Sequence, residues 1–455
     1  MAHIHLIGIG GTGISSIARV LLEKGYKVTG SDRILSPLAL DLEIAGARVY
    51  EGHDASHIKG ANIVVRSSAI PDSNVEVVAA RQAGIPVLKR SEFLGTILRD
   101  HVGIAIAGSH GKTTTTAMMA FCLNSMALDP SYIIGGVSKD LSSNAHAGEG
   151  KHFVIEADEY DHMFMGLNPE VVLLTNVEYD HPDCYPTPAD YLQAFKEFIG
   201  TIRPNGLLIA CADFDHTAEL ITSKHASVRV FTYGLSENAD FRAVNCSVNK
   251  YGSYDYDMLF HSQNLCKVSL QVPGEHNVRN SLAVLATILE LGLPVEMAAL
   301  NMHKFSGTGR RFDIIGEANG VTFVDDYAHH PSKISATLAA AKTRFPGRRL
   351  VALWQPHTYS RTKTLAADFI RSLELADLTV VTEVYPAREP VEAFSSSELV
   401  AQMTGKEAYY CKTLDNAVEL LEEKLLPGDV LLVLSAGDAD TVGKRVLHDR
   451  KERKS

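Results

Sequence analysis

The chain lacks any framework of paired cysteines. Its six cysteines (Cys122, Cys184, Cys211, Cys246, Cys266 and Cys411) are scattered, with no C-x-x-C among them, so neither a disulfide scaffold nor a zinc knuckle is expected, and the thiols read as reduced. No run approaches the ~18 apolar residues of a membrane span. The opening "MAHIHLIGIG" has no basic segment ahead of a long apolar core, so no targeting leader is expected either, and a cytoplasmic protein is. Excess positive charge is missing too: the formal net charge is −11, which argues against a broad footprint for nucleic acid or an anionic membrane. A local basic cleft for a small anion stays open. With one Trp, no biased tract and no repeat at roughly 20 to 50 residues, low-complexity and solenoid architectures drop out.

What is present is a globular composition, 45% hydrophobic and 21% charged, over 455 residues. Single cores stop growing at roughly 250 to 300 residues, so two to four domains are expected. Only the tail "HDRKERKS" reads as disordered. From 1 to about 100, short apolar strands alternate with helices ("HIHLIGIG", "ISSIARVLLEKG", "KVTGSD", "LALDLEIAG", "ANIVVRSSA"), the pattern of parallel strands with crossover helices. A second block opens at "VGIAIAG" and continues through strands "HFVIEAD", "EVVLLTNV" and "GLLIACAD". The stretch from Val228 to Gly274 alternates in a way that suits antiparallel strands at a sheet edge. A third block, from "RRFDIIGEANGVTFVDDYAHHP" onward, is again α/β, without a phosphate-binding glycine motif. Its role must come from residues at its strand ends.

Two phosphate grips stand out. Gly8-x-Gly10-x-x-Gly13 follows a strand and opens a helix, and Asp32 closes the next strand. A dehydrogenase would place its dinucleotide there, yet the same turn can seat any diphosphate, including that of a nucleotide sugar, or serve only tight packing. The second grip, "GSHGKTTTT" at 108–116, places Gly108, Gly111, Lys112 and Thr113 between strand and helix. Backbone N–H groups, an ammonium and a hydroxyl for Mg²⁺ then surround the β and γ phosphates. The strict spacing would need glycine at 106, where Ile106 stands, so the loop is a shortened variant. Glu156, Asp158, Glu159 and Asp161 end one strand, and Asn176, Glu178, Asp180 and His181 end another. So many carboxylates at one sheet edge call for cations between them, although a solvated acidic rim is the plainer alternative.

In order, "GIGGTGISSIA", "SHGKTTTT", "VIEADEYD", "TNVEYDH", "GEHNVRNSLA", "GRRF", "VDDYAHHP" and "QPHTYSRT" resemble the Mur ligases over nearly the whole chain, most closely the branch that adds the first amino acid to the peptidoglycan precursor. The resemblance implies an α/β protein of three domains: an N-terminal Rossmann-like domain (1–100) for the UDP-sugar, a central P-loop ATPase-like domain (101–309), and a C-terminal Rossmann-like domain (310–455) closing over the site. It implies an ADP-forming amide ligase that joins L-alanine to the lactyl carboxylate of UDP-N-acetylmuramate through an acyl phosphate, using ATP with Mg²⁺ or Mn²⁺. The two grips would then serve two nucleotides. Gly8, Gly10, Gly11, Thr12, Gly13, Asp32, Ser67 and Ser68 would face the UDP-sugar. Gly108, Ser109, His110, Gly111, Lys112, Thr113, Thr114, Asn280, Arg311 and Asp326 would face ATP. Thr113, Glu156 and His181 would hold metal, and Tyr327, His329, His357 and Arg361 would line the amino-acid side. Lys112, His181, His329, His357 and Arg361 make up the implied catalytic group, with His357 or His329 taking a proton from the incoming amine.

Three positions depart from the family pattern: Thr358 replaces an arginine, Tyr160 a serine, and "LSAGDAD" the usual "MGAGDI". The first removes a cation beside the amino-acid pocket and leaves glycine, L-serine or a recycled tripeptide as alternative acceptors. A nicotinamide dehydrogenase is the rival from another class, and it would leave Lys112 and the acidic strand ends without a task.

Overall fold

The computed structural model describes residues 2–222 and 226–452, built around three sheets. In the first, β1 (His3–Ile7), β2 (Lys27–Asp32), β3 (Arg48–Glu51), β4 (Ile63–Arg66) and β5 (Val87–Lys89) lie in the order β3-β2-β1-β4-β5, all parallel. The order reverses beside β1, so the crevice at its C-terminal end, where such sheets place ligands, falls on the Gly8–Gly13 turn.

The central sheet has ten strands. Its parallel part comprises β6 (Val102–Ala107), β7 (Ser131–Ser138), β9 (His152–Glu156), β10 (Val171–Leu174), β11 (Leu207–Cys211) and β12 (Arg229–Gly234). Fully buried runs such as "VVLL" in β10 are what helices on both faces require. At one edge β13 (Phe241–Val248), β14 (Tyr254–Phe260) and β15 (Gln263–Ser269) are antiparallel, as the alternation of that stretch implies. At the other edge β8 (Ser143–His146) turns back on β7, a hairpin that the polar sequence "SKDLSSN" hides.

The third sheet runs β16-β17-β21-β18-β19-β20, with β16 (Asp313–Ala318), β17 (Val321–Asp326), β18 (Leu350–Trp354), β19 (Leu378–Thr382), β20 (Glu407–Cys411) and β21 (Val430–Leu434). Only β16 is antiparallel to its neighbour. The closing helix Asp440–Glu452 corrects the expectation of a disordered tail from His448. Arg450 is buried against the carbonyls of Glu422 and Leu425, so the helix is tied down well into that segment; residues 453–455 lie outside the described part.

The cores are unequally shared. Phe93, Leu94 and Leu98 of the first unit pack in one continuous cluster with Phe164, Leu167, Phe195 and Phe198 of the second, and Arg203 donates to the carbonyls of Leu98 and His101 at the junction. The third sheet keeps its own clusters on its two faces. Its ties to the central unit are largely polar: Lys139–Asp313, Arg361–Asp180 and Arg388–Asp183. Apolar contact thus welds the first two units while ion pairs dock the third, which suits a unit that closes and opens. The connection beside the third unit carries positive φ at Gly307, Arg310 and Phe312, a conformation that costs the two non-glycine residues energy.

Candidate active site

The helices Thr12–Glu23 and Lys112–Ser125 begin in the same way. Their N-caps are Gly11 and Gly111, and neither cap supplies a side-chain hydrogen bond. Elsewhere Ser36 and Thr187 cap their helices with hydroxyls. At the two glycine turns the first-turn N–H groups stay available, and the positive end of the helix dipole faces outward, an arrangement suited to anions.

Both helix ends open into one cavity of about 990 Å³, lined by Thr12, Gly13 and Arg90 from the first unit, the Ser109–Thr114 loop, and Arg311, Asp326, His329, Lys333, His357 and Arg361 from the third. Gly8, Gly10, Gly11, Ser67 and Ser68 are not among the residues that line this cavity. Gly8 has φ +82 and packs on Ser67, and its N–H donates to the Ser31 carbonyl at 2.8 Å. The two carboxylate oxygens of the half-buried Asp32 accept from the backbone N–H of Gly10 (2.9 Å) and of Arg33 (2.8 Å), which fixes the turn and leaves further acceptor positions on each oxygen.

Arg90 carried no motif and was missed. It opens the helix Arg90–Leu98 and lies directly on Gly13, where any side chain would run into its guanidinium. Its Nε has no hydrogen-bond partner among the described residues. Burial depresses its pKa, while Asp158 and Glu156 oppose that. A buried guanidinium beside a helix N-terminus is two positive ends facing each other, which an anion between them would stabilise.

The phosphate loop is held by the neighbouring strand end. Gly108, at φ +130, has no room for a Cβ against Thr175 and Asn176; the Ser109 N–H donates to the Asn176 carbonyl and the His110 N–H to Asn176 Oδ1, both at 2.9 Å. Lys112 Nζ donates to the Gly108 carbonyl and to Glu159 Oε2, each at 2.6 Å. Burial works against the Lys112 charge, but Glu159, Asp158 and Glu156 outweigh it and hold the pKa up. Glu159 is buried, which alone would raise its pKa, yet Lys112 and His181 bring it down to about 2. Glu156 goes the other way, raised by burial despite Lys112 and Arg311. It accepts from Thr113 Oγ1 at 3.0 Å and from the Gly135 N–H at 2.8 Å. His181, at φ +57, brings Nε2 to 3.5 Å from Glu159 Oε1.

The third unit covers this edge with cations. Arg311 donates to Thr113 Oγ1 at 3.2 Å and stacks on Tyr327, while Asp326 accepts from the Phe312 N–H at 2.7 Å. Asn280 sits under Gly111 and donates to Asn277. Arg361 lines the cavity beside His357 and is held there by Asp180: Nε and Nη2 both donate to Asp180 Oδ1, at 2.9 and 2.7 Å. His329 and His357 lie with ring centres 5.7 Å apart. Burial and nearby cations drive the His329 pKa well down and bring His357 to about 4, which disfavours either imidazole as the acceptor of an ammonium proton. Lys333, a second residue the motifs did not flag, is pushed down to about 8 by burial, with Asp180 opposing and Arg311, Lys112 and Arg361 adding to the fall.

Two of the three departures, Thr358 and Tyr160, line this cavity. Thr358 keeps a positive φ of +65 and donates its N–H to the Tyr385 carbonyl. Tyr160 lies under the Arg388 guanidinium, 3.7 Å from its ring centre, and donates to Asp183, with which Arg388 pairs at 2.9 Å. Arg388 also lines the cavity, so a cation from another loop faces the region of Thr358.

Comparison with known proteins agrees along the chain. The Mur ligase family catalytic domain matches residues 3–102, the Mur ligase middle domain 106–288, and the Mur ligase glutamate ligase domain 310–437. A UDP-N-acetylmuramate--L-alanine ligase of Geobacter sp. (strain M21) is 42% identical over 98% of this chain and 96% of its own. One from Caldanaerobacter subterraneus is 38% identical over 99% and 98%. Among solved structures, the UDP-N-acetylmuramate-alanine ligase MurC of Thermotoga maritima superposes with a TM-score of 0.84 at 27% identity over the full length of both chains. A murein peptide ligase of Psychrobacter arcticus gives 0.72 at 26% over 98% of each.

Proposed function

The chain belongs to the Mur ligase family, and from that premise we propose that it joins L-alanine to the lactyl carboxylate of UDP-N-acetylmuramate, converting ATP to ADP and phosphate, in peptidoglycan synthesis. One observation carries the reading: the uncapped helix ends at Gly11 and Gly111 open into a single cavity. Two nucleotides are thereby brought to one reaction space. A dehydrogenase would leave Lys112, Thr113, Glu156 and Glu159, which line the same cavity, without a task.

The UDP-sugar diphosphate is seated by Thr12, Gly13 and Arg90, with Gly8, Gly10, Gly11, Asp32, Ser67 and Ser68 shaping the turn. ATP lies along Gly108–Thr114 with Lys112 on its phosphates; Asn280, Arg311 and Asp326 flank it, and Phe214, Val272, Pro273 and His276 offer an apolar end for the base. Thr113 and Glu156 suit one Mg²⁺, because their hard oxygens lie 3.0 Å apart and the Glu156 pKa stays raised by desolvation despite Lys112 and Arg311. His181 beside Glu159 suits a second. Bound there, Mg²⁺ would neutralise the phosphate charge as two anions approach.

The lactyl carboxylate oxygen attacks the γ-phosphorus and ADP departs, giving an acyl phosphate. Lys112 and Arg311 balance the charge that builds on the transferred group. The amine then attacks the acyl carbon, the tetrahedral intermediate collapses, and phosphate leaves. Before that attack the ammonium must lose a proton. Lys333 takes it: with a pKa near 8 it is the basic side chain of this cavity best matched to the task, while His329 and His357 orient the amine through neutral rings. Water would hydrolyse the acyl phosphate, so the third unit closes over it through Arg361 and Asp180. The three sheets support domains at 1–100, 101–309 and 310–455, and the lack of a helix long and apolar enough to cross a membrane, among the described residues, is compatible with a cytoplasmic enzyme.

The test is phosphate release from ATP with Mg²⁺ and UDP-N-acetylmuramate, supplied separately with L-alanine, L-serine, glycine or the murein tripeptide. Strongest turnover with L-alanine is expected. Turnover with another acceptor alone would overturn the substrate, and release without any UDP-sugar would overturn the ligase.

A further inference from the structure

The geometry points to a site for one zinc-class divalent ion formed by His110, Glu178 and His330, at the seam between the phosphate loop and the third unit. This goes beyond the ligase reaction and does not depend on which amino acid is joined. The ligating atoms of the three side chains lie within 4.8 Å of one another. His110 Nε2 is 2.9 Å from Glu178 Oε2, and the His110 and His330 rings lie 4.9 Å apart.

His330 supplies the second, independent observation. It is 3% exposed, yet neither ring nitrogen has a hydrogen-bond partner among the described residues, and the same holds for His110 Nδ1. Buried imidazole nitrogens are ordinarily satisfied, so a ring with both orphaned and one nitrogen 3.9 Å from a carboxylate oxygen calls for something between them. Ser332 Oγ already donates to Glu178 Oε1, so it supplies no partner to His330.

The donor set selects the metal class. Two imidazoles and a carboxylate match Zn²⁺, whereas Mg²⁺ prefers an all-oxygen shell such as Thr113 and Glu156 provide. Zinc–ligand bonds of about 2.0–2.2 Å need donors roughly 3.4 Å apart, so the side chains must draw in by about an ångström, within reach of small χ rotations. Glu178 and Ser332 also line a second cavity of about 440 Å³ with His330, which gives an ion a path to the seam and leaves a fourth position for water. His110 sits in the phosphate loop, Glu178 at the end of a central strand, and His330 before the helix Pro331–Arg344 of the third unit. An ion there clamps the third unit onto the loop, so zinc holds the closed arrangement and slows exchange of nucleotide.

Titration of the nucleotide-free full chain with ZnCl₂, followed by calorimetry, tests the site. One equivalent is expected to bind, with affinity lowered about tenfold or more in H330Q and in E178Q, since each removes one of three ligands. E156Q, which alters the oxygen site at Thr113, is expected to bind zinc as the unaltered chain does. Crystals of the unaltered chain soaked in zinc give a reading that does not depend on how the variants fold: an anomalous peak between the three side chains supports the site. No bound equivalent, an equivalent indifferent to H330Q, loss in E156Q alone, or a peak elsewhere would each overturn it.

Discussion

Arg361 and Asp180, 181 residues apart in sequence, form a buried ion pair in which two guanidinium nitrogens converge on one carboxylate oxygen at 2.9 and 2.7 Å. The pair joins the third unit to the central strand end that also carries His181. Burial alone would raise Asp180, but Arg361 holds it well below the ordinary carboxylate range. Removing one partner of such a pair leaves a buried charge, at a cost of about 3–5 kcal/mol. R361A and D180N are each expected to lower kcat about 100-fold or more and to enlarge the nucleotide-bound particle in small-angle scattering. The double variant is expected to recover part of the loss, with a coupling of about 2 kcal/mol or more in a double-mutant cycle. R361K is not expected to rescue, because a lysine cannot present two donors to one carboxylate in a fixed fork.

In the proposed reaction Arg90 and Gly13 serve the UDP-sugar and not ATP. G13A places a methyl into the Arg90 guanidinium, and R90A removes the charge. Loss of a charge-assisted hydrogen bond costs about 1.5–3 kcal/mol, so each variant is expected to raise KM for UDP-N-acetylmuramate roughly 10- to 100-fold. KM for ATP is expected to stay within about twofold, which separates this from general unfolding. Equal effects on both substrates would remove Arg90 from the role given to it.

Lys112 and Glu159 depend on each other. K112M is expected to abolish measurable turnover and also to lower thermal stability, because Glu159 then sits buried without its ammonium. K112M/E159Q is expected to melt above K112M while remaining inactive. If the double variant melts lower than the single one, the pair is not what strains K112M.

Acid sensitivity traces to Glu76. This carboxylate is fully buried, accepts from Ser31 Oγ at 2.6 Å and His57 Nδ1 at 2.8 Å, and lies 3.2 Å from His53 Nδ1. Burial would raise its pKa, but His5 and Ser31, with His57, bring it down to about 2 from 4.5. A carboxyl group with a folded pKa below its unfolded value stabilises the fold fully above pH ~4.5, and that contribution fades as pH falls toward ~2, on the order of 3 kcal/mol in all. Urea midpoints measured from pH 6 to pH 3 are expected to fall more steeply for the unaltered chain than for E76Q.

Lys333 predicts the opposite limb. Its folded pKa of about 8 lies below the ordinary 10.5, so the unfolded chain binds more protons between those values and stability rises with pH across that window. K333M is expected to flatten that rise. It is also expected to remove an acid limb near pH 8 from kcat at saturating L-alanine, where the unaltered enzyme loses activity as Lys333 becomes protonated. An unchanged kcat profile would return the amine's proton to solvent.

Much of the fold was legible because its signals are local. The glycine turns, the Gly-Lys-Thr loop and the alternating apolar runs of β1, β6, β17 and β21 depend on a few adjacent residues and on backbone rules that hold anywhere. The hairpin of β7 and β8 escaped because its polar, small-residue sequence fills an edge strand that a sheet needs only on one side. The tail was misread because the charges of "HDRKERKS" conceal a helix anchored by Arg450. Sequence shows that a carboxylate ends β2, but not that it meets the N–H groups of Gly10 and Arg33 there.

The sequence by itself determined that there are two phosphate grips, which loops carry them and which strand ends hold carboxylates, since each follows from residue type at short spacing. Tertiary structure alone decided that both grips share one cavity, that Arg90 lies on Gly13 and that Arg361 is committed to Asp180. It also decided which of many buried groups take up protons. These depend on burial and on charges brought together from distant parts of the chain, and desolvation and Coulomb energy belong to that assembly rather than to any segment.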